Sequence, residues 1–267
     1  MTSLQLAGFS ASILIGVSLG LIGGGGSILT LPVLVYLLGF NPVVSTTYSL
    51  FVVGTTSLVG SLNYIRQRQV NYKAAILFSV PSFGAVYLTR HYLIPAIPDP
   101  VFITDTFVLS KNIAIMIFFA SVMLVASVSM IRDKKMPDQL SAAPFRFNLP
   151  MIAFDGILVG LLTGIVGAGG GFLIIPALVL LVRLPMKMAV GTSLLIIAAN
   201  ALIGFWESTA NLLIDWPFLL KFTSFSVFGI LLGTYLSRFV PGQKLKKTFG
   251  WFVLVMGVYI ISREVFL

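Results

Sequence analysis

Residues 16–32 read GVSLGLIGGGGSILTLP, and residues 160–176 read GLLTGIVGAGGGFLIIP. A shift of 144 positions (167 − 23) lays Gly16 on Gly160, Gly20 on Gly164, one glycine block on the other and Pro32 on Pro176. The same shift carries Ser49 onto Ser193, Leu50 onto Leu194 and Gly60 onto Gly204 without a gap. Apolar helices resemble one another by chance, but ungapped agreement of glycines and prolines marks an internal duplication. One repeat covers about 1–131 and the other about 150–267, with 132–149 between them as a linker. Farther along, Asn71-Tyr72 falls opposite Asp215-Trp216, and a one-residue slip would pair Phe83-Gly84 with Phe228-Gly229.

The 267 residues are 58% hydrophobic and only 9% charged, with a mean hydropathy of +1.04. A water-soluble globule of this size cannot hide so much apolar side chain. No charge occurs from Met1 to Ile65, enough for two crossings of a hydrocarbon core about 30 Å thick. Apolar runs fall at about 4–22, 27–38, 43–63, 74–94, 112–131, 150–166, 172–182, 188–206, 217–237 and 248–262. The expected fold is an all-α polytopic membrane protein, a single integral domain 1–267 with four to five helical segments per repeat. The glycine blocks break helices, and the runs after them, 27–38 and 172–182, are too short to span alone. Cysteine is absent, which excludes disulfides and thiolate chemistry. No Lys or Arg precedes Arg66, so the first run lacks a signal peptide's basic start and is expected to stay in the mature chain.

The net charge of +9 lies in short loops, which points to membrane orientation and not to nucleic acid. Arg66, Arg68 and Lys73 make one basic loop; Arg132, Lys134, Lys135 and Arg146 a second; Arg238, Lys244, Lys246 and Lys247 a third. Loops 95–110 and 207–216 carry only Asp99, Asp105, Glu207 and Asp215. With the basic loops cytoplasmic, and Arg183 and Lys187 counted with them, 13 of the 17 positive residues lie inside. Segment 43–63 then runs outside to inside and its repeat partner 188–206 the other way. The repeats are therefore expected to be inverted, with both termini outside the cytoplasm.

Inverted repeats with broken helices are the architecture of secondary transporters, whose sites lie between the halves near the membrane midplane. Backbone groups freed at a glycine block must be buried in protein or line an aqueous cavity. A helix starting after each block, at Ser27 or Phe172, offers unpaired N–H groups and partial positive charge to an anion. The expected ligands are the amides of Gly25, Gly26, Ser27, Gly169, Gly170 and Gly171, the two ends converging on one small anion. Thr46 and Thr47, with Thr192 and Ser193 in the second half, add hydroxyl donors. Asn200, equivalent to Thr56, adds an amide. Other glycines, spaced as Gly20/Gly24 and Gly160/Gly164, suit close helix packing. A nucleotide-binding loop is excluded, because no strand precedes the glycines and no Gly-Lys-Ser/Thr follows.

His91, the single histidine, sits beside Arg90 at a segment end, an interfacial position. A hydrolase using Ser27 and His91 lacks any GxSxG context. Asp155 lies near the start of the sixth run, where it either borders the cytoplasm or carries a coupling proton. Lys221 can reach the outer surface along its own stem.

The two glycine-proline blocks, together with Ala189-Val-Gly-Thr-Ser193, resemble those of the TauE/SafE family, also called the toluene-sulfonate uptake permeases. That resemblance implies transport of sulfur-containing anions, such as sulfite, sulfoacetate or sulfonates, across the cytoplasmic membrane of a prokaryote. The first half departs from the pattern, with Ser45-Thr46-Thr47 in place of an Ala-x-Gly-Thr-Ser motif. The sequence reading is thus a non-enzymatic anion transporter without cofactor or metal. Its partners are a small anion, the lipid bilayer and either a proton or a sodium ion as coupling ion. An anion channel, an intramembrane hydrolase and a membrane scaffold are the alternatives.

Overall fold

A computed structural model describes residues 3–93, 96, 98, 102–104, 107–109, 111–132, 149–166, 171–209 and 213–266. Helix α1 (Ser3–Ile22) leads into a short α2 (Gly25–Pro32), which relaxes into a π-helical turn at Val33–Leu37. The longer α3 (Pro42–Arg66) and α4 (Tyr72–Leu88, with a π-turn at Thr89–Leu93) follow. A small antiparallel hairpin, β1 (Phe102–Thr104) and β2 (Phe107–Leu109), precedes α5 (Lys111–Arg132). The second half contributes α6 (Leu149–Val166), the short α7 (Gly171–Pro176) with a π-turn at Ala177–Leu181, α8 (Met186–Ser208), α9 (Trp216–Ser237) and α10 (Gly242–Phe266). The hairpin is the one described element without a counterpart in the sequence reading. Glu207, read there as a loop residue, belongs to the last turn of α8.

The protein is a polytopic helical membrane protein. Among the described residues α8, α9 and α10 are each long and apolar enough to cross a bilayer, and at about 1.5 Å per residue α1 and α3 reach 30 Å or more.

Local structure repeats at the interval read from the sequence. Each short helix ends at its proline, Pro32 or Pro176, and the next turn widens. Leu38 N–H donates to Val33 O and Val182 N–H to Ala177 O, both at 3.1 Å. At the following bend, Gly39 has φ +71° and Arg183, 144 residues on, φ +59°. Asn71 caps α4 by accepting from Ala74 N–H, and Asp215 caps α9 by accepting from Phe218 N–H. A side-chain oxygen at each N-cap meets one of the helix's orphan amides.

Packing exchanges partners between the halves. α1 lies along α9, α4 along α6, α3 along α8, and α5 along α10. The α1–α9 contact is a seam of glycines in which the two backbones touch. A methyl on Gly16 would collide with Ser226 O, and one on Gly229 with Ile13 O. One turn on, a methyl on Gly20 would stand 2.7 Å from Ile230 O. Ser12 Oγ donates across this seam to Phe222 O at 2.6 Å. The α4–α6 contact repeats it, with Gly156 against Phe78 O and Gly160 against Ser82 O and Ala85. Small residues permit such approach where lipid supplies no hydrophobic drive between helices.

This packing corrects one sequence alignment. Gly160 meets Ser82 and Ala85, and Gly16 meets Ser226 and Gly229. The 144-residue register therefore continues unbroken, and Gly229 corresponds to Ala85. Gly84, paired with Gly229 by the one-residue slip, is exposed, and a methyl there would meet nothing within 4 Å.

Contacts along α3 and α8 run in opposite numerical order: Gly204 meets Leu50, Gly54 meets Leu202, Gly60 meets Leu194 and Gly191 meets Tyr64. These two helices, equivalent under the 144-residue shift, are antiparallel. So are α5 and α10, where Gly250 meets Met130 and Ile131 while Gly257 meets Met123 and Leu124.

Candidate functional site

Helix α1 stops at Ile22 because Gly23 takes φ +81°, a conformation that L side chains rarely adopt. Gly23 N–H still donates to Leu19 O at 2.7 Å, and Gly24 then opens α2 without any side-chain cap. The short helix begins at Gly25, two residues earlier than the sequence suggested, and α7 begins at Gly171 instead of Phe172. Gly25, Gly26 and Ser27 thus occupy the first turn of α2, where N–H groups have no acceptor within their own helix. Gly26 is buried against α1: a methyl there would meet Leu19 and lie 2.7 Å from Ile15 O. Helix α2 therefore folds back along α1, and it packs against α7 of the other half.

The glycine break is seated on the second half. A methyl on Gly23 would lie 2.9 Å from Ser193 Oγ and 3.1 Å from Val190 Cα. Ser193 and Thr192 are fully buried. The Ser193 hydroxyl donates to Val190 O at 2.8 Å, and Thr192 Oγ1 accepts from Asn71 N–H at 3.0 Å. Its equivalent, Tyr48, accepts from Asp215 N–H at 2.7 Å. Each hydroxyl thus anchors the loop that enters the fourth helix of the opposite half. Sequence reading missed this role, although the 144-residue shift does place one hydroxyl over the other.

Tyr64, also unforeseen, sits beside the break. Its buried hydroxyl faces Gly20 O and Ser237 Oγ, both at 2.9 Å, while the Ser237 proton is used on Thr234 O. The tyrosine joins the end of α1 to α3 and α9. Tyr64→Phe is expected to cost about 1–3 kcal/mol, the usual penalty for stranding buried polar groups. A thermal unfolding series in detergent checks it, and an unchanged midpoint would remove Tyr64 from the framework.

Two expectations about the site need correction. The first glycine block does not lie at the middle of the helices it touches. It meets Val190, four residues after Met186 opens α8, on the level of Tyr64, two residues before α3 ends. Nor do the hydroxyl pairs gather in one pocket. Thr46 (half-buried) and Thr47 (buried) lie in the opening turns of α3, and Thr192 and Ser193 near the start of antiparallel α8. By the α3–α8 register some 16 residues separate the pairs, or about 24 Å. Gly169 and Gly170 lie outside the described residues; Gly171 is buried.

Mid-length is instead occupied by hydroxyls. Thr56 and Ser57 lie near the centre of α3, one turn before Gly60, which faces Ile230; Ser226 lies one turn before Ile230 on α9. All three are fully buried, and none of their oxygens has a hydrogen-bond partner among the described residues. Half-buried Asn200 is at the corresponding depth on α8. Buried polar groups are ordinarily satisfied, so three orphans on one level call for a ligand or water. His91 is exposed and stacks on Tyr87, ring centroids 5.6 Å apart, as an interfacial residue would.

The sequence profile of the family described as sulfite exporter TauE/SafE matches residues 8–260. The chain belongs to that family. Its relatives include a "Probable membrane transporter protein" of Xylella fastidiosa strain 9a5c, 28% identical over 255 residues and covering 94% of this chain and 92% of the relative. Bacillus subtilis strain 168 has the "Probable membrane transporter protein YunE", 27% identical over 264 residues, with 92% and 93% covered. A "Probable membrane transporter protein" of Haemophilus influenzae is 28% identical over 278 residues, with 97% and 95% covered. No solved structure matches the chain. The family match spans both glycine breaks and the α3–α8 pair, so the features described above belong to a TauE/SafE protein throughout.

Proposed function

We propose that this TauE/SafE protein is a secondary transporter of small sulfur-containing anions, such as sulfite, sulfoacetate or other organosulfonates, in the cytoplasmic membrane. In this reading it consists of two inverted repeats, about 1–131 and 150–267, with both termini extracytoplasmic. The antiparallel α3–α8 and α5–α10 pairs and the unbroken 144-residue register support the inversion; the basic loops support the orientation.

The observation that carries the proposal is the seating of Gly23 on Ser193, which puts an uncapped helix start of one half against buried hydroxyls of the other. An anion there is held by the amides of Gly25, Gly26 and Ser27, with Thr192 and Ser193 beside it. A second station in the other half is Gly169, Gly170 and Gly171 with Thr46 and Thr47, which precede Tyr48 and Ser49, the register equivalents of Thr192 and Ser193. Between the two levels lie Thr56, Ser57, Ser226 and Asn200, donors through which an anion passes without meeting a fixed positive charge. Partial charges suit turnover: they offset the heavy cost of desolvating an anion without the grip of a buried arginine. Access alternates as the halves shift across the α3–α8 pair.

Uptake of radiolabelled sulfite, sulfoacetate and taurine into proteoliposomes, under proton and sodium gradients in turn, tests the proposal. Saturable movement of at least one is expected. Movement of none under either gradient would refute the substrate class, and unitary currents in planar bilayers would replace the transporter with a channel.

A further inference from the structure

We propose that Asp155 is the proton-carrying carboxylate that couples anion movement to a pH gradient, an assignment that rests on the transport reading above. Asp155 is the only titratable residue of α6 and is 6% exposed. It lies six residues, about 9 Å, from the start of that helix. Burial inside the protein removes it from lipid contact. Its Oδ2 has no hydrogen-bond partner among the described residues.

Among the described residues, the neighbouring elements place no counter-charge on Asp155. On α4, Tyr72, Lys73 and Tyr87 are exposed; on the π-turn after it, His91 and Tyr92 are exposed; on α5, Arg132 is exposed. By the α4–α6 register Arg90 stands about 13 residues, or about 20 Å, beyond the level of Asp155; Lys111 opens α5, and Gly171–Leu181 contains no titratable residue. Intramembrane carboxylates are rare, and they pair with a cation or carry one. With no described side chain in that place, a hydrogen ion is the smallest cation that neutralises the group.

Position gives the proton a partner in transport. α4 and α6 run parallel, with Gly156 against Phe78 O, so Asp155 stands about six residues past Asn71 along α4. Asn71 N–H is held by Thr192, next to Ser193 and the glycine break. The carboxyl and the first anion station therefore lie toward the same end of the molecule. An ionised Asp155 repels an anion entering there; once water delivers a proton to the carboxylate, the neutral acid does not. The proton leaves to water when the pathway opens on the other side, and the carboxylate is regenerated. The first half has Ala11 at the equivalent position, so one proton site serves both repeats.

The test uses the full chain in proteoliposomes, wild type beside Asp155→Asn and Asp155→Glu. Infrared titration of the reconstituted protein should show a carboxylic-acid C=O band that disappears as pH is raised. The band should be missing in Asp155→Asn and displaced in Asp155→Glu. Radiolabelled sulfoacetate should exchange across Asp155→Asn vesicles without a gradient, while accumulation driven by a pH gradient falls about tenfold or more; Asp155→Glu should retain accumulation. The proposal is overturned if the wild-type band is unchanged in Asp155→Asn, or if gradient-driven accumulation survives in that variant. It is overturned equally if exchange is lost along with accumulation. A wild type that moves none of sulfite, sulfoacetate and taurine refutes the transport reading alone, since the infrared band still decides whether Asp155 titrates.

Discussion

Gly16→Val is expected to yield almost no folded protein. The glycine faces Ser226 O and Ile230 N across the α1–α9 seam, so a side chain would meet backbone. Inserting methylenes among core side chains costs about 1–3 kcal/mol because neighbours can repack. Carbonyls in the middle of a helix cannot. Relief would require α1 and α9 to separate, which breaks the bond from Ser12 Oγ to Phe222 O and unseats Gly20, Gly229 and Gly233 together. Total stabilities of about 5–15 kcal/mol leave little margin for that. Size-exclusion profiles in detergent should show aggregate in place of a monodisperse peak. Gly84→Val, at an exposed glycine with open space around it, should elute like wild type. A monodisperse Gly16→Val of unchanged thermal midpoint would mean that the seam is not as close as described.

Gly23→Ala is expected to fold but to lose transport by a factor of ten or more. Two effects act. Alanine at φ +81° pays about 1–2 kcal/mol of backbone strain. Its methyl would also stand 2.9 Å from Ser193 Oγ, so the amides of the next turn move away from Ser193. Gly39→Ala separates the two effects, because Gly39 has φ +71° but nothing within 4 Å. Arg183 occupies the equivalent position at φ +59°, so a side chain is accommodated there. Gly39→Ala should show the strain alone and Gly23→Ala a larger fall in thermal midpoint, and only Gly23→Ala should fail in uptake assays. Equal transport by the two would detach the glycine break from the anion pathway.

Much of the architecture was legible because it rests on local chemistry. Proline removes one amide donor wherever it stands, so Pro32 and Pro176 end short helices in the same way. Asn71 and Asp215 cap the helices that follow them by the same side-chain geometry. Site residues were legible less evenly. Gly25, Gly26 and Ser27 do open a helix, and Ser193 does lie against the first glycine break. Thr192 proved to anchor a loop, as did Tyr48 from the polar run 45–49, and Tyr64 escaped notice because an aromatic hydroxyl in an apolar run gives no periodic signal. Thr46 and Thr47 look like companions of Thr192 and Ser193 only while the antiparallel course of α3 and α8 is ignored.

From its sequence alone this chain is determined to be a helical membrane protein, with a glycine and proline pattern that recurs at an interval of 144 residues. Those properties depend on hydropathy, on backbone freedom and on nearest neighbours along the chain. The tertiary structure decided which helices exchange between halves, that Gly229 answers Ala85 and not Gly84, and that buried hydroxyls at mid-length have no partners among the described residues. These depend on which backbones touch, and residues such as Ser12 and Phe222, 210 positions apart, meet only once the helices have packed.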